Sequence, residues 1–132
     1  SKGYSGITHR SAAPAMADGH LVGTWNAVAG GGGAIAGGSD HDGKDVAYTD
    51  HNGLEWTLKV EEQKGPAFHA QWCSQNKCED AVGVERMNGD ILMADEDGTF
   101  RGTVMKDVME LCYLEADADL RVADCHLLQK GK

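Results

Sequence analysis

Tyr113, Asp124 and His126 are the residues of this sequence whose types and spacing best suit proton chemistry. If Leu120 to Leu128 returns antiparallel to Asp107 to Leu114, all three fall on one face of that hairpin together with Met109 and Leu111. A carboxylate beside an imidazole and a phenol could orient a ligand or shuttle a proton, each group tuning the others' affinity for it. The same groups also make an ordinary hydrogen-bonded network at the end of a sheet. Glu110 falls on the opposite face with Cys112, where a carboxylate is simply solvated. There is no Gly-x-Ser-x-Gly, so nucleophilic catalysis has no support, and no motif implies a cofactor.

Four cysteines, Cys73, Cys78, Cys112 and Cys125, form two pairs, each centred on a turn. A two-residue turn at Gln75-Asn76 sets residue 73 opposite residue 78, and a turn at Asp117 to Leu120 does the same for 112 and 125. Cross-strand neighbours bring their Cβ atoms close enough for a disulfide. Paired cysteines on two hairpins could instead hold zinc, but knuckles place two to four residues between ligands, and here the intervals are four and twelve. Two hairpin disulfides are therefore expected, and with them an oxidising compartment, periplasmic or extracellular. The chain opens at Ser1 rather than at a methionine, as expected of a processed chain.

Asp40-His41-Asp42-Gly43 resembles part of a calcium loop, and His51 follows shortly after. The match fails downstream, where Thr49 stands in place of the bidentate glutamate and Gly38 in place of the first carboxylate. No metal site is expected; Asp40, His41, Asp42 and His51 are the nearest to candidates, and a solvated acidic loop is the stronger reading of them.

The elements that must position these groups are strands. Leu54, Trp56, Leu58 and Val60 alternate with Glu55, Thr57, Lys59 and Glu61, which predicts one buried and one wet face. Similar segments are expected at Leu21 to Val28, Ala67 to Cys73, Asp80 to Met87, Asp90 to Ala94, Thr99 to Met105 and in the final hairpin, with Asn88-Gly89 a strong turn signal. The first strand is expected to end at Gly30 to Gly33, leaving Gly30 to Gly53 as a long loop with one short strand near Val46 to Tyr48. Residues 1–19 read as an arm and 20–132 as one domain. About eight strands on short turns predict an all-β, eight-stranded antiparallel up-and-down barrel, because closing a meander removes its exposed edges.

His20-Leu21-Val22-Gly23-Thr24-Trp25-Asn26 resembles the Gly-x-Trp opening of the calycins, the lipocalins and avidins among them. The resemblance implies that Trp25 plugs one end of the barrel. It stops there, since neither the C-terminal lipocalin helix nor the avidins' biotin-pocket pattern is recognisable.

A small barrel has room for side chains or one small ligand. Trp25, Trp56, Phe68, Trp72, Phe100, Met109, Tyr113 and His126 are the candidate lining residues, and ordinary core is the alternative for each. Twelve Lys and Arg against twenty-one Asp and Glu leave a formal net charge of −9, which disfavours nucleic acid and anionic membrane surfaces as partners. No stretch approaches eighteen consecutive apolar residues, so no membrane span is expected. These readings point to an exported protein binding a small apolar or aromatic ligand, neutral or cationic, with Gly30 to Gly53 as a lid. Two alternatives stay open. One is a cofactor-free barrel enzyme, an isomerase, cyclase or lyase using Asp124 or His126 as proton shuttle and Tyr113 as donor. The other is a secreted protease inhibitor inserting its arm, Ser1 to Gly6. Self-association through outer faces is compatible with all three.

Overall fold

The computed structural model describes residues 19–37, 46–50 and 55–131. Nine strands follow one another: β1 (Gly23–Gly37), β2 (Val46–Thr49), β3 (Thr57–Lys64), β4 (Ala67–Cys73), β5 (Cys78–Glu85), β6 (Ile91–Ala94), β7 (Thr99–Met105), β8 (Val108–Ala116) and β9 (Leu120–Lys130). From β3 to β9 each strand pairs antiparallel with the next, and β1 pairs with both β3 and β9, closing an eight-stranded up-and-down barrel. β2 lies outside the cylinder as an added partner of β1. Closure follows from the alternation: turning every second side chain inward buries Leu58, Val60, Phe68, Ala70, Ile91, Met93, Leu111 and Leu128 in one shared core.

One end is stoppered. Leu21 is fully buried and Trp25 is 1% exposed beneath the inner layer. The Trp25 indole N–H donates to the Leu21 carbonyl at 2.9 Å, and Lys130 Nζ lies 5.7 Å from the ring centre. The entering chain is fastened by Leu21 N donating to Gln63 Oε1 at 3.1 Å and by Lys130 Nζ donating to the His20 carbonyl at 2.6 Å. His20 also meets Glu85 at 3.0 Å. Polar contacts therefore seal the base that Trp25 fills.

The expectation that β1 stops at the glycine run is overturned. The strand runs through it to Gly37 and pairs with β9 as far as Leu120. Two irregularities, between Ala27 and Ala29 and between Gly30 and Gly32, let it bend, and such bulges kink and twist a strand. Glycine suits this path: a Cβ on Gly31 would lie 3.1 Å from that of Cys125, and Gly32 has φ +90°. Past the bends β1 exchanges β3 for β2, with Gly33 to Ala36 facing Thr49 to Val46. Gly30 to Gly37 thus belong to a sheet, not to a loop or lid, and Val46 to Thr49 form the short strand expected there. Residues 1–18, 38–45 and 51–54 lie outside the described residues, and with them Asp40, His41, Asp42, His51 and most of the arm.

Packing is tight at Phe68, whose cross-strand partner is Gly83. A Cβ on Gly83 would clash with the tip of the Phe68 ring, at Cζ and both Cε atoms. Gly83→Ala is therefore expected to cost about 1–3 kcal/mol, as overpacking does, and to lower the melting temperature by roughly 3–10 °C. Adding Phe68→Leu should recover part of the loss. Additive losses in a double-mutant cycle followed by circular dichroism would show that the two do not compete for that space.

Candidate functional site

Antiparallel winding places the β4–β5, β6–β7 and β8–β9 turns at the end opposite Trp25, where Trp56 enters β3. This end is open. Its cavity, about 220 Å³, has an aromatic floor made by Trp56, Trp72, Tyr113 and His126. Trp56 and Trp72 stack with centroids 5.0 Å apart and planes 8° from parallel. His126 is tilted against both, at 5.7 and 5.5 Å. Phe100 lies beneath, with its edge to Trp72 at 5.6 Å and its ring 4.8 Å from that of Tyr113. Each ring rests on another, so the floor is preorganised.

The rim is polar: Lys77, Glu79, Asp95, Asp97 and Asp124 line the same cavity. Two Asx turns shape it. Asp95 Oδ1 accepts from the backbone N–H groups of Asp97 and Gly98, both at 2.9 Å, and Asp117 Oδ1 accepts from Asp119 N at 3.0 Å. Lys77 reaches Glu79 at 2.8 Å. The hydrogen bond and ammonium charge hold the Glu79 carboxyl below its ordinary range. Glu96 is pushed up, first by its hydrogen bond to Glu79 and then by repulsion from Glu79 and Asp97.

Tyr113, Asp124 and His126 do share one wall. Tyr113 faces Asp124 across the ladder, Leu111 faces His126, and His126 Nε2 lies 3.7 Å from Asp124 Oδ1. The Tyr113 hydroxyl, however, donates to Glu115 at 2.5 Å. Burial, that hydrogen bond and the nearby charges of Glu115, Asp95 and Asp97 all raise the phenol above its ordinary range. Tyr113 holds its proton firmly.

The remaining candidate lining residues divide by height. Trp56 and Trp72 reach the cavity, Phe100 supports it from below, and Trp25, Phe68 and Met109 are core residues away from its lining. Of the acids of the rim, Asp124 was expected at this site, whereas Glu79, Asp95 and Asp97 were not. The signal that finds them is topological: in an up-and-down barrel alternate turns share an end, so Asp95 and Asp97 must join the turn after Cys73.

The four cysteines form two bridges, Cys73 to Cys78 and Cys112 to Cys125, one in each expected hairpin. Zinc ligation by these sulfurs is thereby excluded. A wider depression of about 430 Å³ outside the β4–β5 turn is walled by exposed Lys59, Gln75, Asn76 and Lys77 and has no aromatic ring, so it is a surface hollow. Comparison of the chain with protein families, with curated proteins and with solved structures returns no match.

Proposed function

We propose that this barrel is an exported binding protein, calycin-like in its plugged base and open mouth, that takes a small apolar or aromatic ligand, neutral or cationic, into the cavity over Trp56 and Trp72. The observation that carries this is the preorganised aromatic floor at the end of a closed barrel that the described residues leave open. A volume of about 220 Å³ lies below the roughly 300–1,000 Å³ of drug-sized sites and suits a single ring or a compact branched group. The two disulfides fit a periplasmic or extracellular setting.

Proton-transfer catalysis is the weaker reading, because it asks Tyr113 to donate to a substrate while its hydroxyl already donates to Glu115. The arm proposed for protease inhibition lies outside the described residues.

The test is native mass spectrometry of protein purified from its own host, followed by fluorescence titration of the released compound. Trp72→Phe should weaken binding by roughly tenfold, as expected when a contact worth about 1.4 kcal/mol is lost, while the fold persists. Unchanged affinity in Trp72→Phe, or a compound that leaves tryptophan emission unaltered, would place the site elsewhere.

A further inference from the structure

We infer that the outer face of β4 to β6 is a self-association surface, on which a second copy of this chain packs sheet against sheet, with β5 antiparallel to its counterpart and Asp80 of one protomer set against Arg86 of the other. The inference is independent of the ligand reading above, because this face is the outside of a wall whose inside lines the core.

β5 turns its small apolar residues inward and its larger ones outward. Ala81 and Gly83 lie on the core side, where Gly83 leaves room for Phe68, while Val82 and Val84 face away, Val82 at 65% exposure. Single exposed apolar residues are ordinary on a sheet, and valine suits any strand position. These are not single. The ladders set Val84 between Ala67 and Leu92 and Val82 beside Ala94, so three neighbouring strands present five exposed apolar residues side by side. The adjoining β3, by contrast, presents Lys59, Glu62 and Lys64. A contiguous apolar face rimmed by polar residues marks an interaction surface.

Charge decides the occupant. A chain of formal net charge −9 repels its own copies over most of its surface, so association between copies needs a face where charge is absent or paired. The outward row of β5 and the residue after it reads Asp80, Val82, Val84, Arg86: an acid, two apolar residues and a base. Arg86 continues the alternation past the strand, its backbone N–H donating to the Asp90 carbonyl at 2.6 Å. A two-fold axis crossing the row between Val82 and Val84 reverses it, so that valines meet valines and each acid meets a base, which is the self-complementarity an isologous contact requires. The Asp80 side chain is 77% exposed; within its own chain it accepts from Gln71 Nε2 at 3.0 Å and lies 3.8 Å from His69 Nε2, contacts that hold it at the mouth-side edge of the apolar face. Facing sheets pack about 10 Å apart, a gap that an arginine and an aspartate span together. With His69 and Arg101 at its margins the face is about 20 Å on a side, and pairing two copies buries roughly 1,000 Å² in all, the size of a weak, reversible dimer.

Sedimentation equilibrium of the intact oxidised chain over a concentration series tests this. Monomer in exchange with dimer is expected, with a dissociation constant of about 10 μM or weaker. Val84→Lys, Asp80→Arg and Arg86→Glu should each weaken the dimer by roughly tenfold or more, because each brings a buried charge or like charges into the contact. All three positions face outward, so the circular dichroism of each variant should match that of the parent. Mixing Asp80→Arg with Arg86→Glu sets opposite charges at both ends of the row again and should recover a dimer of about the parent's affinity. A chain that stays monomeric at every concentration overturns the proposal, and binding of that monomer to uncharged phosphatidylcholine vesicles would assign the face to a lipid surface instead. A dimer that tolerates Val84→Lys overturns it by placing the contact elsewhere on the barrel. Failure of the mixed charge variants to associate overturns the antiparallel two-fold arrangement.

Discussion

Trp25→Ala is expected to lower the unfolding free energy by about 3–5 kcal/mol, the range for deleting a large aromatic side chain from a core. The ring is 1% exposed, sits on a strand that pairs with both β3 and β9, and accounts for much of what fills the base. Its loss would leave a cavity at the seam where the barrel closes, and would remove the donor on which the Leu21 carbonyl depends. A decrease in melting temperature of roughly 10–20 °C should accompany it. Trp25→Phe separates the two effects, because it keeps most of the volume and deletes only the N–H. A buried carbonyl left without its donor costs about 1–3 kcal/mol. Guanidinium unfolding followed by far-ultraviolet circular dichroism measures both variants. A cost below about 1 kcal/mol for Trp25→Ala would mean that the base can collapse around the gap and that the indole is not its stopper. Since the cavity lies at the other end, Trp25→Phe should bind the compound released from the native protein as the parent protein does.

Loss of the Cys112–Cys125 bridge through paired alanine substitutions is expected to cost about 3 kcal/mol, against about 2 kcal/mol for Cys73–Cys78. The difference comes from the loops that are closed, with sequence separations of 13 and 5 residues. A longer loop denies the unfolded chain more conformations when it is cross-linked. The larger bridge also has a local consequence. Cys112 and Cys125 each adjoin a residue of the cavity wall, Tyr113 and Asp124, which face one another in the same ladder. Without the bridge the hairpin depends on backbone pairing alone to hold that register, so binding of the released compound should weaken along with stability. Unfolding by guanidinium of each double variant, with the parent in reductant as a third arm, gives the ranking. If removing the short bridge costs more than removing the long one, loop entropy is not what these disulfides contribute.

Most of the strands could be read along the chain because strand periodicity is local. Leu58 and Val60 are buried and Lys59 is exposed, as alternation requires, and the same holds for Phe100 and Arg101 and for Ile91 and Leu92. The disulfides were legible for a related reason. A hairpin makes its turn a mirror, so two cysteines equidistant from that turn face each other, as Cys73 and Cys78 do in the ladder. Tyr113, Asp124 and His126 could be assigned to one face by the same symmetry, applied to the final hairpin.

The glycine run shows where local reading stops. Glycine carries no side chain to alternate and is also the residue expected at turns, so Gly30 to Gly37 had the composition of a loop while forming part of the longest strand in the fold. What makes it a strand is β9, which lies about ninety residues further along and presents a complete ladder to it. Small residues there let β1 bulge against Cys125 and change partners from β3 to β2. The site divides in the same way. Aromatic residues on alternating strands announce an apolar interior, but their height along the barrel depends on how far each strand is staggered against its neighbours. Position along β4 separates Trp72, at the mouth, from Phe68 in the core, and stagger between strands decides which residues of other strands join Trp72 there.

The sequence by itself therefore determined the strands from β3 onward, their turns, the alternation of one buried with one wet face and both cysteine pairs, since each is encoded within one hairpin or one run of alternating residues. Only the tertiary structure decided the length and partners of β1, the pairing of β2 with β1 outside the cylinder and the convergence of Lys77, Glu79, Asp95 and Asp97 above the aromatic floor. Those features depend on closure, which joins the two ends of the described chain. Contacts between such distant segments leave no periodic trace in either one.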